Sequence, residues 1–137
     1  MIENIVFSGA GSRIYIFLGF IKALDEHNIL SNVKSVIGTS SGALIAVLCV
    51  LDFKYSEIEE IMLKINTSNL KNISSENIIN FFNDYGLDDG KNFHRIIKII
   101  LNIKVKNENI TFKELYELTN KRLIITATCV NNMNIEY

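Results

Sequence analysis

Proline is absent from the 137 residues, and the charges nearly cancel, with 14 Lys and Arg against 15 Asp and Glu. The missing proline accompanies abundant isoleucine and asparagine, as an AT-rich coding sequence would produce, and no function is drawn from it. The scattered, balanced charge has a consequence. Without a basic cluster, the chain argues against an electrostatic nucleic-acid binder, and no nucleic-acid partner is expected. No apolar run approaches the ~18 residues of a membrane span. The longest, "ALIAVLCVL", is nine residues from Ala43 to Leu51. The N-terminus "MIENIVFSGAG" carries Glu3 early and has no basic leader, so no signal peptide is expected. Cysteine is scarce. Cys49 and Cys129 lie in apolar segments without metal-like spacing and read as buried, reduced thiols. These absences set the default of a cytoplasmic, reducing location.

What is present is a folded composition. Apolar residues make up 48% and charged residues 21%, enough for one domain spanning residues 1–137 with a real core. "NIVFSG" (Asn4 to Gly9) reads as a short buried strand. "IYIFLGFIKALDEHNIL" follows, with Ile14, Phe17, Leu18, Ile21 and Leu24 at steps of three and four, which predicts a helix. "VKSVIG" (Val33 to Gly38) predicts a second strand. Ala43 to Leu51 predicts a helix apolar nearly all round, which other elements must enclose. Ser56 with Glu59, and Thr111 with Glu114, match the S/T-x-x-E capping box and predict two helix starts. "SSENIINFFNDYG" and "GKNFHRIIKIILNI" predict two more helices. "KRLIITATCV" predicts a strand, followed by the turn "NNMN" and the stub "IEY". Two strands joined by a helix should be parallel neighbours. The order β-α-β-α predicts an α/β fold with a mostly parallel sheet flanked by helices, expected to be incomplete at its C-terminus.

The chemistry concentrates in "SVIGTSSGALIAVLCVL". Gly38-Thr39-Ser40-Ser41-Gly42 is a G-x-S-x-G pentapeptide between a predicted strand and a predicted helix. A nucleophile elbow needs this context: a serine on a strained turn, with small residues two before and two after it. The helix N-terminus supplies a positive dipole and free N–H groups where an oxyanion would form. An ordinary tight turn is the plain alternative. The second glycine loop, "SGAGSR" (Ser8 to Arg13), ends the first strand and opens the first helix. Parallel strands would bring it to the same sheet edge as Ser40, and its N–H groups at Gly9, Ala10, Gly11 and Ser12 are oxyanion-hole candidates. The dinucleotide fingerprint G-x-G-x-x-G fits less well, since Ile14 occupies the third position and no acidic residue ends strand two.

These two motifs, in this order and at this separation, resemble the patatin-like phospholipase family. That family carries S-G-G-G-x-[RK]-G after strand one and G-x-S-x-G after the next strand. Here the first reads Ser8-Gly9-Ala10-Gly11-Ser12-Arg13-Ile14. "GFIKALDEHNIL", "GLDDGKNFHRIIKIIL" and "TFKELYELTNKRLIITATCVNN" also resemble family segments, so the likeness spans nearly the whole chain. Ala10 and Ile14 replace two family glycines. Alanine is harmless at negative φ but strained at positive φ, and Ile14 adds bulk beside the loop.

The resemblance implies a three-layer patatin-like fold and a lipid acyl hydrolase cleaving acyl esters of phospholipids or related glycerolipids. Ser40 would be the nucleophile of a Ser-Asp dyad, acting without histidine, metal or cofactor. It implies a lipid substrate and transient contact with a membrane surface. The family's aspartate lies in a D-G-[GA] motif after the segment resembling "ITATCVNN", and the sequence printed here ends at Tyr137, before such a motif. Asp89-Gly90 is followed by Lys91 and reads better as a helix-entry turn with Asp88 or Asp89 near the N-cap. His27 and His94 do not follow a late strand, where α/β-hydrolases place theirs. Arg13 is a candidate contact for a lipid phosphate or a solvated surface arginine. Phe81 and Phe82, with Ile78 and Ile79, read as helix core or as a lipid-facing lid. The competing function is a catalytically inactive truncated homologue serving as a lipid-binding or interaction module.

Overall fold

The computed structural model describes residues 2–65 and 88–137. The predicted helix at "SSENIINFFNDYG" and the candidate lid at Phe81 and Phe82 lie outside the described residues. By contact the chain divides into two compact units, Met1–Glu60 with Ile110–Tyr137, and Ile61–Asn109.

The first unit holds a four-stranded sheet in the order β1-β2-β3-β4. Strands β1 (Asn4–Phe7), β2 (Ser35–Thr39) and β3 (Arg122–Cys129) are parallel. The stub "IEY" contributes β4 (Asn134–Glu136), which reverses through a tight turn and pairs antiparallel with Ala127–Cys129. Register fixes which side chains share a face. Ile5 and Phe7 align with Val36 and Gly38, and all four are buried, whereas Val6 on the opposite face is 68% exposed. That is the period-2 alternation of a strand with one covered face.

Helix α1 (Ile16–Glu26) begins later than its apolar periodicity suggests, because Gly11–Tyr15 forms a 3-10 turn before it. Ile14, Ile21 and Leu24 are buried. The rings of Phe17 and Phe20 meet Phe7 edge-on at centroid separations of 5.3 and 5.9 Å, a favoured aromatic geometry. Helix α2 (Ser41–Val50) packs on β1, β2, β3 and the 3-10 turn, with eight of its ten residues buried. A helix this uniformly apolar has no solvent face, as its sequence requires. At its far end Asp52 pairs with Lys121, tying the exit of α2 to the entry of β3.

Helix α3 (Tyr55–Lys64) corrects one expected start. Ser56 is inside the first turn instead of capping it. Glu57 Oε2 reaches back to accept the Lys54 N–H at 2.7 Å, and Glu59 accepts from the Tyr55 hydroxyl. The second unit contains α4 (Lys91–Val105), which starts after Gly90 at φ 68° and buries Ile100; Lys98 pairs with Glu108 at 3.0 Å. Back in the first unit, α5 (Phe112–Thr119) opens with the expected reciprocal capping box between Thr111 and Glu114.

Candidate active site

Ser40 joins the end of β2 to the start of α2 and is solvent-exposed. Its backbone has φ 53° and ψ −125°, a combination that costs a non-glycine residue on the order of 1–3 kcal/mol and persists only where surrounding packing imposes it. The two glycines of the pentapeptide show that packing. A Cβ on Gly38 would lie 2.5 Å from Ala43 Cα and 2.6 Å from the Gly42 carbonyl oxygen. One on Gly42 would lie 2.4 Å from both the Phe7 and Ser8 carbonyl oxygens. Strand, turn and helix are thus closer than any side chain permits. The first intrahelical bond, from the Ala43 N–H to the Ser40 carbonyl at 2.9 Å, fixes the turn from the other side.

The glycine loop arrives where parallel pairing of β1 and β2 should bring it. A Cβ on Gly9 would stand 3.5 Å from Ser40 Cβ, ordinary van der Waals contact. Ala10 has φ −131° and ψ −6°, so alanine replaces the family glycine without strain. Gly11, at φ 55°, does need its glycine. Ile14 points its bulk into the core, where it is 5% exposed. The Ala10 N–H donates to Ser41 Oγ at 2.9 Å, a bond across 31 residues that the motif reading did not include. A second such pair joins the Thr39 and Thr126 hydroxyls at 2.7 Å. Thr39 and Thr126 are register partners, so aligning the ends of the two predicted strands would have found them.

The other candidates sit apart from this constellation in character. Asp88 Oδ1 accepts the Gly90 N–H at 2.7 Å, and Asp89 Oδ1 accepts the Lys91 N–H at 3.1 Å. The Lys91 ammonium pairs with Asp89 Oδ2 at 2.9 Å. Both aspartates therefore serve the entry of α4. His27 is the exposed C-cap of α1 and His94 is exposed in the first turn of α4. Arg13 is exposed on the 3-10 turn after the loop. Burial pushes the Cys49 thiol up to about 12, an effect Asp52 reinforces and Lys121 opposes; it is an inert core thiol. An open groove of about 590 Å³ runs along β3 and is lined by Phe112, Leu123, Ile125 and Tyr137 among others. Ser40 is not in its wall.

A sequence model of the patatin-like phospholipase family matches residues 5–135, which contain both glycine motifs. The chain belongs to the patatin-like phospholipase family. Among curated proteins it is 30% identical over 128 residues to a probable lipid hydrolase of Invertebrate iridescent virus 6, covering 91% of this chain and 42% of that protein. It is 27% identical over 131 residues to an uncharacterized protein of Acanthamoeba polyphaga mimivirus, covering 95% and 43%. The chain thus spans less than half the length of these relatives. In structure it is similar to the type III effector ExoU, with a TM-score of 0.61 and 18% identity over 91% of this chain and 33% of that one. ExoU of Pseudomonas aeruginosa in complex with SpcU gives the same TM-score at 17% identity, over 93% of this chain and 32% of ExoU. That likeness bears out the α/β fold with its mostly parallel sheet. Among the described residues, no helix is long and apolar enough to cross a membrane.

Proposed function

We propose that this chain carries the nucleophile and oxyanion loop of a lipid acyl hydrolase acting on acyl esters of phospholipids or related glycerolipids. The observation that carries the reading is the strained, exposed Ser40 at φ 53°, wedged between Gly38 and Gly42 with Gly9 at its side. Strain of this kind clusters where a side chain must be aimed. Ser40 Oγ attacks the ester carbonyl carbon and gives its proton to a general base. The carbonyl oxygen becomes an oxyanion, held by loop N–H groups from Gly9 to Ser12 beside the positive end of α2. Collapse expels the lysolipid alkoxide, which takes the proton back from the base. Water, deprotonated by the same base, then cleaves the acyl-enzyme.

In this reading the base is an aspartate from sequence beyond Tyr137, as the family resemblance implies, and no metal or cofactor takes part. Exposed Arg13, at the end of the loop, would meet a lipid phosphate, and contact with the membrane surface would be transient. The test is labelling with a fluorophosphonate, which serine hydrolases attack through the nucleophilic oxygen. Label on the Ser40 peptide, lost in Ser40→Ala, is the expected result. Lipid binding without Ser40 labelling would favour the inactive, lipid-binding reading instead.

A further inference from the structure

Ser41 is a half-buried residue that the nucleophile reading leaves without a task, yet its hydroxyl makes the long-range bond between the elbow and the glycine loop. Ala10 is pinned at both ends of its peptide environment: its N–H donates to Ser41 Oγ at 2.9 Å, and its carbonyl accepts the Arg13 N–H at 3.0 Å. The next residue turns sharply, Gly11 having φ 55° after Ala10 at φ −131° and ψ −6°. A residue at positive φ reverses the chain locally, so that neighbouring N–H groups can converge on one side in a concavity that suits an anion. Ser41 Oγ occupies the Ala10 end of that concavity. The Ala10 N–H is therefore engaged in the resting site, which narrows the oxyanion donors of the Gly9–Ser12 loop to its remaining N–H groups, Gly11 and Ser12 among them.

We infer that Ser41 is the positioning residue of the oxyanion loop. By accepting the Ala10 N–H, it holds Gly11 and Ser12 at the distance from Ser40 that the reaction needs. The inference rests on the proposed Ser40 chemistry and adds a role for the second serine of the pentapeptide. Packing alone does not fix the loop here. Even a Cβ on Gly9 would reach Ser40 only at ordinary van der Waals distance, and Ser41 supplies the directional tie. A loop free to shift by about 1 Å loses on the order of a hundredfold in rate while still binding its ligand.

The experiment follows the kinetics of fluorophosphonate labelling at Ser40 in the full-length protein that supplies the proposed aspartate, separating the maximal rate from the half-saturating probe concentration. Thermal melting of each variant is recorded in parallel. Ser41→Ala should lower the maximal rate about tenfold to a hundredfold with little change in half-saturation. Ser41→Thr, which keeps the acceptor oxygen, should restore most of it. If wild type does not label at Ser40, the nucleophile reading falls and this inference with it. If wild type labels and Ser41→Ala labels at the same rate or faster, the inference alone is overturned. If Ser41→Ala fails to melt cooperatively, Ser41→Thr decides: labelling within about threefold of wild type supports the role, and a larger loss at unchanged melting temperature overturns it.

Discussion

Replacing Gly42 with alanine puts a methyl carbon 2.4 Å from the carbonyl oxygens of both Phe7 and Ser8, and 2.8 Å from the Phe7 carbonyl carbon. Carbon–oxygen contacts of the gentlest kind begin at about 3.3 Å, so the start of α2 must retreat from β1 by roughly 0.9 Å. Neither side can yield cheaply. The carbonyls belong to the end of a strand paired in the sheet and to the residue after it, and α2 is enclosed along nearly its whole length. Overpacking against backbone costs about 1–3 kcal/mol or more. The same retreat moves Ser40 relative to the glycine loop by an amount that costs on the order of a hundredfold in reactivity. Urea unfolding followed by far-ultraviolet circular dichroism measures the first effect and Ser40 labelling the second. Gly9→Ala is the internal control. Its Cβ would meet Ser40 Cβ at 3.5 Å and the Thr39 carbonyl oxygen at 3.8 Å, ordinary contacts that leave stability within about 0.5 kcal/mol. If Gly42→Ala is as stable as Gly9→Ala, the close approach of α2 and β1 is refuted, and with it the packing account of the strained serine.

Two further predictions concern the scaffold. Thr111→Ala removes the N-cap of α5 and should lower stability by about 1 kcal/mol in denaturant titration. Hydrogen bonds from the Thr111 backbone N–H and hydroxyl hold the Glu114 carboxyl below its ordinary 4.5. A lowered carboxylate contributes stability that is present above 4.5 and fades as pH falls through the folded value. The Thr111→Ala deficit should therefore shrink in acid below pH 4.5, and a deficit constant down to full protonation would contradict the box. For the thiols, Cys49 at 4% exposure and raised to about 12 should resist alkylation at pH 8 until the chain unfolds, whereas half-buried Cys129 reacts sooner. Mass spectrometry after a short iodoacetamide pulse reads the order directly, and faster labelling of Cys49 would contradict its burial.

Local pattern made the leading β-α-β-α order legible, because strand alternation, helical periodicity and the uniformly apolar Ala43 to Leu51 are all written within a few residues. The pentapeptide was legible for the same reason: Gly38 and Gly42 are spaced as a close strand–helix approach demands. What escaped depends on partners distant in the chain. Nothing near Ser41 announces that its hydroxyl meets Ala10, and nothing near Thr39 announces Thr126; only the parallel register joins them. The stub "IEY" is too short to show alternation, and it becomes β4 only because β3 offers it an edge. At α3 the capping pattern misled by residue type. Ser56 and Glu59 have the right spacing, but Glu57 is nearer the Lys54 N–H, and the helix begins before the serine. Likewise Gly11–Tyr15 continues the apolar periodicity of α1 while winding as a 3-10 turn, a choice that the loop's positive-φ glycine makes and the pattern does not record.

The central claim is that Ser40 is a nucleophile, and site mapping of a fluorophosphonate adduct tests it most directly. Ser40 Oγ bonds to phosphorus as fluoride leaves and the serine proton is lost, adding the probe's mass less HF to the peptide that contains "GTSSG". The account predicts a single adduct at Ser40 in the folded full-length protein that supplies the proposed aspartate, absent after urea denaturation and absent in Ser40→Ala, with much weaker labelling of residues 1–137 alone. An adduct that persists in Ser40→Ala, or that maps to another residue of the folded chain, would contradict it.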